Sequence, residues 1–170
     1  MAKANREWMI VRRRREEANG SNRLEAILLA PVSAGDFEVL VQIRITAMRV
    51  SLERIGRFDP VRARERLRAG FEPEDTFFIV NAEQKLGFIV FQEREGEMHL
   101  DHLYVLPEHQ GKGVGALVMR WVLERAALLR LAVRVAALRG SEANRFYQRH
   151  GFTLLSQGPF DNHYRLPGPG

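Results

Sequence analysis

This chain of 170 residues has no cysteine. That absence excludes disulfides, cysteine nucleophiles with their acyl-cysteine intermediates, and thiolate metal sites, and it suits a reducing compartment. Long apolar runs are missing too: nothing approaches the ~20 residues of a membrane span. Near the start, Trp8-Met9-Ile10-Val11 is too short for a secretory signal and runs into the four arginines Arg12 to Arg15. These absences point to the cytoplasm, with no membrane partner. There are no internal repeats and no low-complexity block. What is there, 45% hydrophobic and 28% charged residues, is the composition of a soluble globular protein with length for one domain and one core.

The net charge of +5 suggests nucleic acid until it is located. Residues 1–23 hold seven Lys or Arg and three Glu, while the other 147 residues carry 19 basic and 18 acidic groups. The body is nearly neutral, which argues against a nucleic-acid partner. Residues 1–23 are expected to be a basic, poorly ordered extension, 24–166 the folded domain, and 167–170 (Pro-Gly-Pro-Gly) a disordered tail.

Hydrophobic periodicity and breakers predict the elements. Leu24–Ala30 reads as a strand ended by Pro31, and Ser33 or Asp36 can cap a helix to about Leu52. Asp59-Pro60 opens a second, Arg-rich helix to about Ala69. Thr76–Asn81, Leu86–Glu93 and Met98–Leu106 form an antiparallel meander. Val114, Leu117, Val118, Trp121 and Val122 mark one buried helical face. Leu131–Leu138, a short helix from Ser141 to Gly151, and the strands Phe152–Leu155 and Phe160–Leu166 complete the domain. The pattern predicts an α/β (α+β) fold with a mixed sheet flanked by helices. In the third strand the apolar phase slips by one at Asp101-His102, which signals either a β-bulge or a strand buried on both faces.

The segment from Val105 to Gly115, VLPEHQGKGVG, delivers a glycine-rich turn to a helix N-terminus. Free backbone N–H groups and the helix dipole make such a place an anion site, so a phosphorylated ligand is expected. A Walker loop is excluded, because Lys112 lies between glycines and no Ser or Thr follows it. A dinucleotide fingerprint is met formally by Gly111, Gly113 and Ala116. Four residues separate that turn from its strand, however, and Arg139 stands where an acidic residue is needed.

The pattern V-x-P-x-x-Q-G-x-G-x-G resembles the acetyl-CoA loop of the GNAT superfamily of N-acetyltransferases. A second block, Ala143-Asn144-Arg145-Phe146-Tyr147-Gln148-Arg149-His150-Gly151-Phe152, resembles that family's A-x-x-F-Y-x-x-x-G-F segment, although Gly140 occupies the position where an Asn is commonest. The element order from about residue 24 to 166 is also similar. The resemblance implies a mostly antiparallel GNAT-like sheet, acetyl-CoA as cosubstrate, no metal and an amine acceptor, small molecule or peptide. It allows a homodimer. It further implies that Gln110, Gly111, Lys112, Gly113, Val114 and Gly115 hold the diphosphate. Leu103, Tyr104 and Val105 would lie along the pantetheine arm, with Asn144, Phe146 and Tyr147 completing the cofactor site.

Acetyl transfer to an amine needs a neutral nucleophile. At pH 7 a lysine-like amine of pKa ~10.4 is neutral in roughly one molecule in a few thousand, a burden of ~4–5 kcal/mol. By resemblance the acid–base groups stand at alternate positions of the strand before the loop, here His99 and Asp101, which alternation puts on one face. The resemblance makes Tyr147 the general acid for the departing thiolate. The helical spacing of Ala143, Phe146, Tyr147 and His150 equally fits a packed core. His102 is expected on the opposite face from His99, which argues against a metal pair. The acceptor site should be lined by the first two helices and the last strands, with Glu53, Arg57, Asp59, Asp75, Asp161 and His163 as candidates. A protein that binds acyl-CoA without catalysis would need the glycine loop but not His99, Asp101 or Tyr147.

Overall fold

The computed structural model describes residues 9–13, 26–82 and 84–170. Its elements are β1 (Met9–Arg13), β2 (Ala26–Pro31), α1 (Phe37–Arg54), α2 (Pro60–Ala69), β3 (Thr76–Asn81), β4 (Gln84–Arg94), β5 (Glu97–Val105), α3 (Val114–Leu128), β6 (Ala132–Leu138), α4 (Ala143–Arg149), β7 (Thr153–Gln157) and β8 (Asp161–Leu166). One eight-stranded sheet runs β1-β2-β3-β4-β5-β6-β8-β7. Among the described residues, only β5 and β6 pair in parallel. The expected mixed, mostly antiparallel sheet with flanking helices is what forms.

Local chemistry sets the helix starts. Ser33 and Asp36 bond each other ahead of α1, with Ser33 N–H and Oγ–H both donating to Asp36 Oδ2 at 2.8 and 2.9 Å. Asp59 caps α2 by accepting from Arg62 N–H at 3.1 Å, and Pro60 takes the first helical position. The sheet divides the core. On one side α1 and α2 bury Phe37, Leu40, Val41 and Leu67 against Phe78, Phe88 and Val90. On the other, α3 and α4 bury Val118, Met119, Val122 and Tyr147 against Ile79, Ile89, Met98 and Val133.

One difference lies at the N-terminus. Residues 9–13, read from charge as part of an extension, form edge strand β1 on β2, and Val11 is buried in the core. The arginines that follow hide the signal, because a strand with one apolar side chain inward needs no long hydrophobic run. The rest of residues 1–23 lies outside the described residues. Residues 167–170 have no regular structure, and Gly168 lies so close to the main chain of Arg130–Ala132 that a Cβ there would come within 2.9 Å of it.

The phase slip in β5 is a bulge. Val90 pairs with His102 and Phe91 with Leu100, which leaves Asp101 as the extra residue. The expectation that His99 and His102 point to opposite faces is therefore corrected. His99 pairs with Gln92 and His102 with Val90, so the inserted residue returns His102 to the face of His99. Both share the α1/α2 side with Tyr104, while Leu103 and Val105 pack toward α3.

Candidate active site

Two strands that pair in parallel come apart here. β5 and β6 are in register from Glu97/Ala132 to Leu100/Val135 and no further, although β5 continues to Val105 and β6 to Leu138. The bulge at Asp101 falls where pairing stops, and it bends β5 away from its neighbour. The closed end is tied by Glu97, whose Oε1 accepts from Arg165 at 2.8 Å and whose Oε2 accepts from Arg134. These bonds hold the Glu97 carboxyl below the usual carboxylate range. The open end presents the facing edges of residues 101–105 and 136–138, and an edge with free N–H and C=O groups can accept an amide-bearing chain as an added strand.

The glycine turn sits at the mouth of this opening. Gln110 Nε2 donates to Val105 O at 2.8 Å and fastens the turn to the strand end. Gly111 and Gly113 have φ of +71° and +82°, a left-handed conformation that costs any other L-residue ~1–2 kcal/mol. Gly113 is the N-cap of α3 and carries no side-chain cap, and Leu117 N–H bonds Gly113 O at 3.0 Å. The amides of Val114, Gly115 and Ala116 thus have no acceptor inside the helix, and the positive end of the dipole is uncovered. Lys112 is exposed on the turn.

Gly115 brings the two sequence blocks together. A Cβ at this position would lie 3.5 Å from the Phe146 ring, so the first turn of α3 rests on α4. Phe146 is packed edge-on to Tyr147 at 5.5 Å, and Tyr147 also contacts the Phe152 and Tyr164 rings at 5.7 and 6.3 Å. Tyr147 is 6% exposed, and none of the described residues hydrogen-bonds its hydroxyl. Burial, with a smaller contribution from the Tyr104 phenol, raises its pKa well above the tyrosine norm, so it stays a proton donor. Asn144 is fully occupied: Nδ2 donates to Leu138 O and Ser141 O at 2.8 and 2.9 Å, and Oδ1 accepts from Asn162 Nδ2 and Tyr164 Oη, both at 2.8 Å. It pins the end of β6, α4 and β8 to one another.

On the α1/α2 side the predicted acid–base pair is not a hydrogen-bonded unit. Asp101 accepts from Gln92 Nε2 at 2.8 Å and Arg94 Nη2 at 2.7 Å, while His99 sits at the closed end with its Nε2 buried and unpartnered. His102 and Tyr104 do form a pair, Nδ1 to Oη at 3.2 Å with stacked rings. Burial, then the nearby Arg44 cation, pushes the His102 pKa down to about 4 against the opposing charge of Asp101. Burial raises the Tyr104 phenol.

The acceptor candidates separate. Arg57 lies 3.5 Å over the Phe160 ring, joining the α1–α2 connection to the β7–β8 turn. Asp161 faces Leu138 at the end of β6, and its charge reaches Tyr104. His163 pairs with Ala136 and is exposed. Asp75 is part-buried; burial and then the charges of Glu72, Glu74 and Asp101 raise its carboxyl pKa. Asp59 is a helix cap, and Glu53 is exposed at the end of α1. Among the described residues no group of three or more His, Asp or Glu side chains is placed to hold a metal ion.

Two site residues escaped the sequence reading. Arg44 is 7% exposed beneath α1, and its position four after Leu40 on the buried helical face is the signal that marked it. Gly87 stands opposite Val105, and a Cβ there would come 1.9 Å from Tyr104 O. A lone glycine inside an apolar strand is the usual sign of such a close approach.

The family described as acetyltransferase (GNAT) domain matches residues 73–154, which span the meander, the parting strands, the glycine turn and α4. The chain carries a GNAT acetyltransferase domain. Solved GNAT structures share its fold at low identity. PaiA N-acetyltransferase from Thermoplasma acidophilum, in complex with coenzyme A, is 17% identical with a TM-score of 0.64 over 83% of this chain and 98% of that one. Ard1 from Thermoplasma volcanium is 20% identical, with a TM-score of 0.62 over 84% and 97%. The ribosomal-protein-S18-alanine N-acetyltransferase from Escherichia coli is 14% identical, with a TM-score of 0.62 over 82% and 92%. No curated protein matches the chain in sequence. None of the helices among the described residues is long and apolar enough to cross a membrane.

Proposed function

We propose that this GNAT domain moves the acetyl group of acetyl-CoA onto a primary amine of a small molecule or peptide, by direct attack within a ternary complex in the cytoplasm. The observation that carries the reading is the opening of β5 from β6 immediately behind a glycine turn with uncapped amides. In this reading the N–H groups of Gln110, Gly111, Lys112, Gly113, Val114 and Gly115 hold the diphosphate, with Lys112 adding charge. The β5 edge at Leu103, Tyr104 and Val105 takes the pantetheine arm as an added strand. A backbone N–H of the same edge stabilises the charge that develops on the thioester oxygen. Phe146 walls the cofactor, and Asn144 fixes α4 so that Tyr147 reaches the sulfur.

The amine enters from the α1/α2 side and loses its proton to the polar face of β5, where Asp101 stands at the parting and His99 two residues before it. Tyr147 then gives its proton to the departing thiolate. Without a cysteine, no acyl-cysteine intermediate is available. Titration calorimetry with CoA and acetyl-CoA, followed by thiol release against a panel of amines, tests the reading. Heat and turnover support it. Heat without turnover on any amine converts the protein to an acyl-CoA-binding module, and absence of heat removes both readings.

A further inference from the structure

The unusual charge in this molecule is Arg44. It projects from α1 toward the sheet and is 7% exposed. Its Nη1 donates to Ala63 O of α2 at 2.6 Å, while Nε is buried without a hydrogen-bond partner. Among the described residues no carboxylate pairs with it. Removing a guanidinium from water without a counter-charge costs several kcal/mol, and a buried charge normally has an ionic partner. Ties to the Ala63 carbonyl and to the Tyr104 phenol do not account for the orphaned Nε.

The position of Arg44 indicates what completes it. Its guanidinium carbon is 5.9 Å from the Tyr104 ring centroid, and Tyr104 bonds His102. Both side chains lie on the α1/α2 side of β5, within the stretch that has parted from β6. The cation therefore lies against the α1/α2 face of β5, the side from which the proposed function brings the amine. A guanidinium edge made of Nε–H and a neighbouring Nη–H accepts a carboxylate side-on through two parallel hydrogen bonds. Tyr104 and His102, both kept neutral by burial, offer no anion of their own. Asp161, at the far end of β6 and within electrostatic reach of Tyr104, supplies a negative group for the other end of a zwitterion.

Building on the transferase reading above, we propose that the acceptor is a small aminocarboxylate, whose carboxylate docks on the Nε edge of Arg44 while its amine faces the parting strands. The acceptor's own charge neutralises the buried cation, so amines that lack an acid are poor substrates.

The test uses the wild-type protein and matched ligands: amino acids and the same compounds as carboxamides. Binding is measured by calorimetry on the CoA-loaded protein, and turnover by thiol release from acetyl-CoA. Carboxylates are expected to bind ~10- to 100-fold more tightly than carboxamides, the range for a hydrogen bond to a charged group. Arg44→Gln should erase that preference while leaving CoA affinity as it was. Equal binding of the two sets, tighter binding of carboxamides, or binding of neither overturns the proposal. Selective carboxylate binding without any acetyl transfer instead supports the Arg44 site and overturns the transferase reading, so the two failures are told apart.

Discussion

Tyr147→Phe removes one oxygen and keeps a ring held by Phe146, Phe152 and Tyr164. The hydroxyl has no partner among the described residues, so its loss should change stability by less than ~1 kcal/mol. Its effect on catalysis should be larger. A positioned general acid contributes ~10²- to 10⁴-fold, but a thiol of pKa ~8.5 already leaves fairly well at neutral pH. The low end applies: a fall in kcat of about 100-fold, or ~2.7 kcal/mol of barrier. Burial raises the phenol's pKa, so its proton is retained in the folded state beyond the normal tyrosine range. The wild-type kcat should therefore show no decline from this group as pH rises from 8 to 10. The assay is thiol release at saturating acetyl-CoA and amine, beside calorimetric CoA affinity and thermal unfolding. A variant with kcat within about threefold of wild type and an unchanged melting temperature would refute the acid role and leave Tyr147 a core aromatic.

Gly87→Ala should force β5 outward at Tyr104, because the new Cβ meets backbone at 1.9 Å; a stability loss of ~1–3 kcal/mol in urea unfolding and weaker CoA binding are expected. Gly113→Ala places a side chain at φ +82°, and should cost ~1–2 kcal/mol while lowering CoA affinity more than acceptor affinity, read by calorimetry. His102 has its folded pKa depressed to about 4, so its stabilising contribution is present above its unfolded pKa of ~6.5 and is lost as pH falls toward 4. That loss is on the order of 3 kcal/mol, and denaturant titrations at pH 7, 5.5 and 4 should show it shrink in His102→Asn. Asn144→Ala should reduce kcat and stability together, since it leaves the Asn162 amide and the Tyr164 hydroxyl without their acceptor and takes one donor from each of the carbonyls of Leu138 and Ser141.

Much of the fold was legible because its elements are locally determined. Pro60 behind Asp59, the period of Val114, Val118 and Val122, and the short apolar run of residues 77–80 between polar ends each specify a structure within a few residues of chain, and each is found where expected. The glycine turn was legible for the same reason, since its chemistry resides in the backbone of six consecutive residues. The slip at Asp101-His102 was visible but ambiguous, because apolar residues on both sides of β5 mask the phase. β1 was lost among charges.

The linear order of residues was enough to determine a mixed sheet, an anion-binding turn before a helix, and a second block suited to stand near it, because backbone conformation and periodicity are short-range properties. Only the tertiary structure decided that β5 parts from β6 after Leu100, that His102 shares a face with His99, that Gly87 lies against Tyr104, and that Arg44 is buried without an anion. Those facts depend on which strand edge lies beside which and on what each charge finds across the core. Distances of that kind join residues far apart in the chain, and no local pattern carries them.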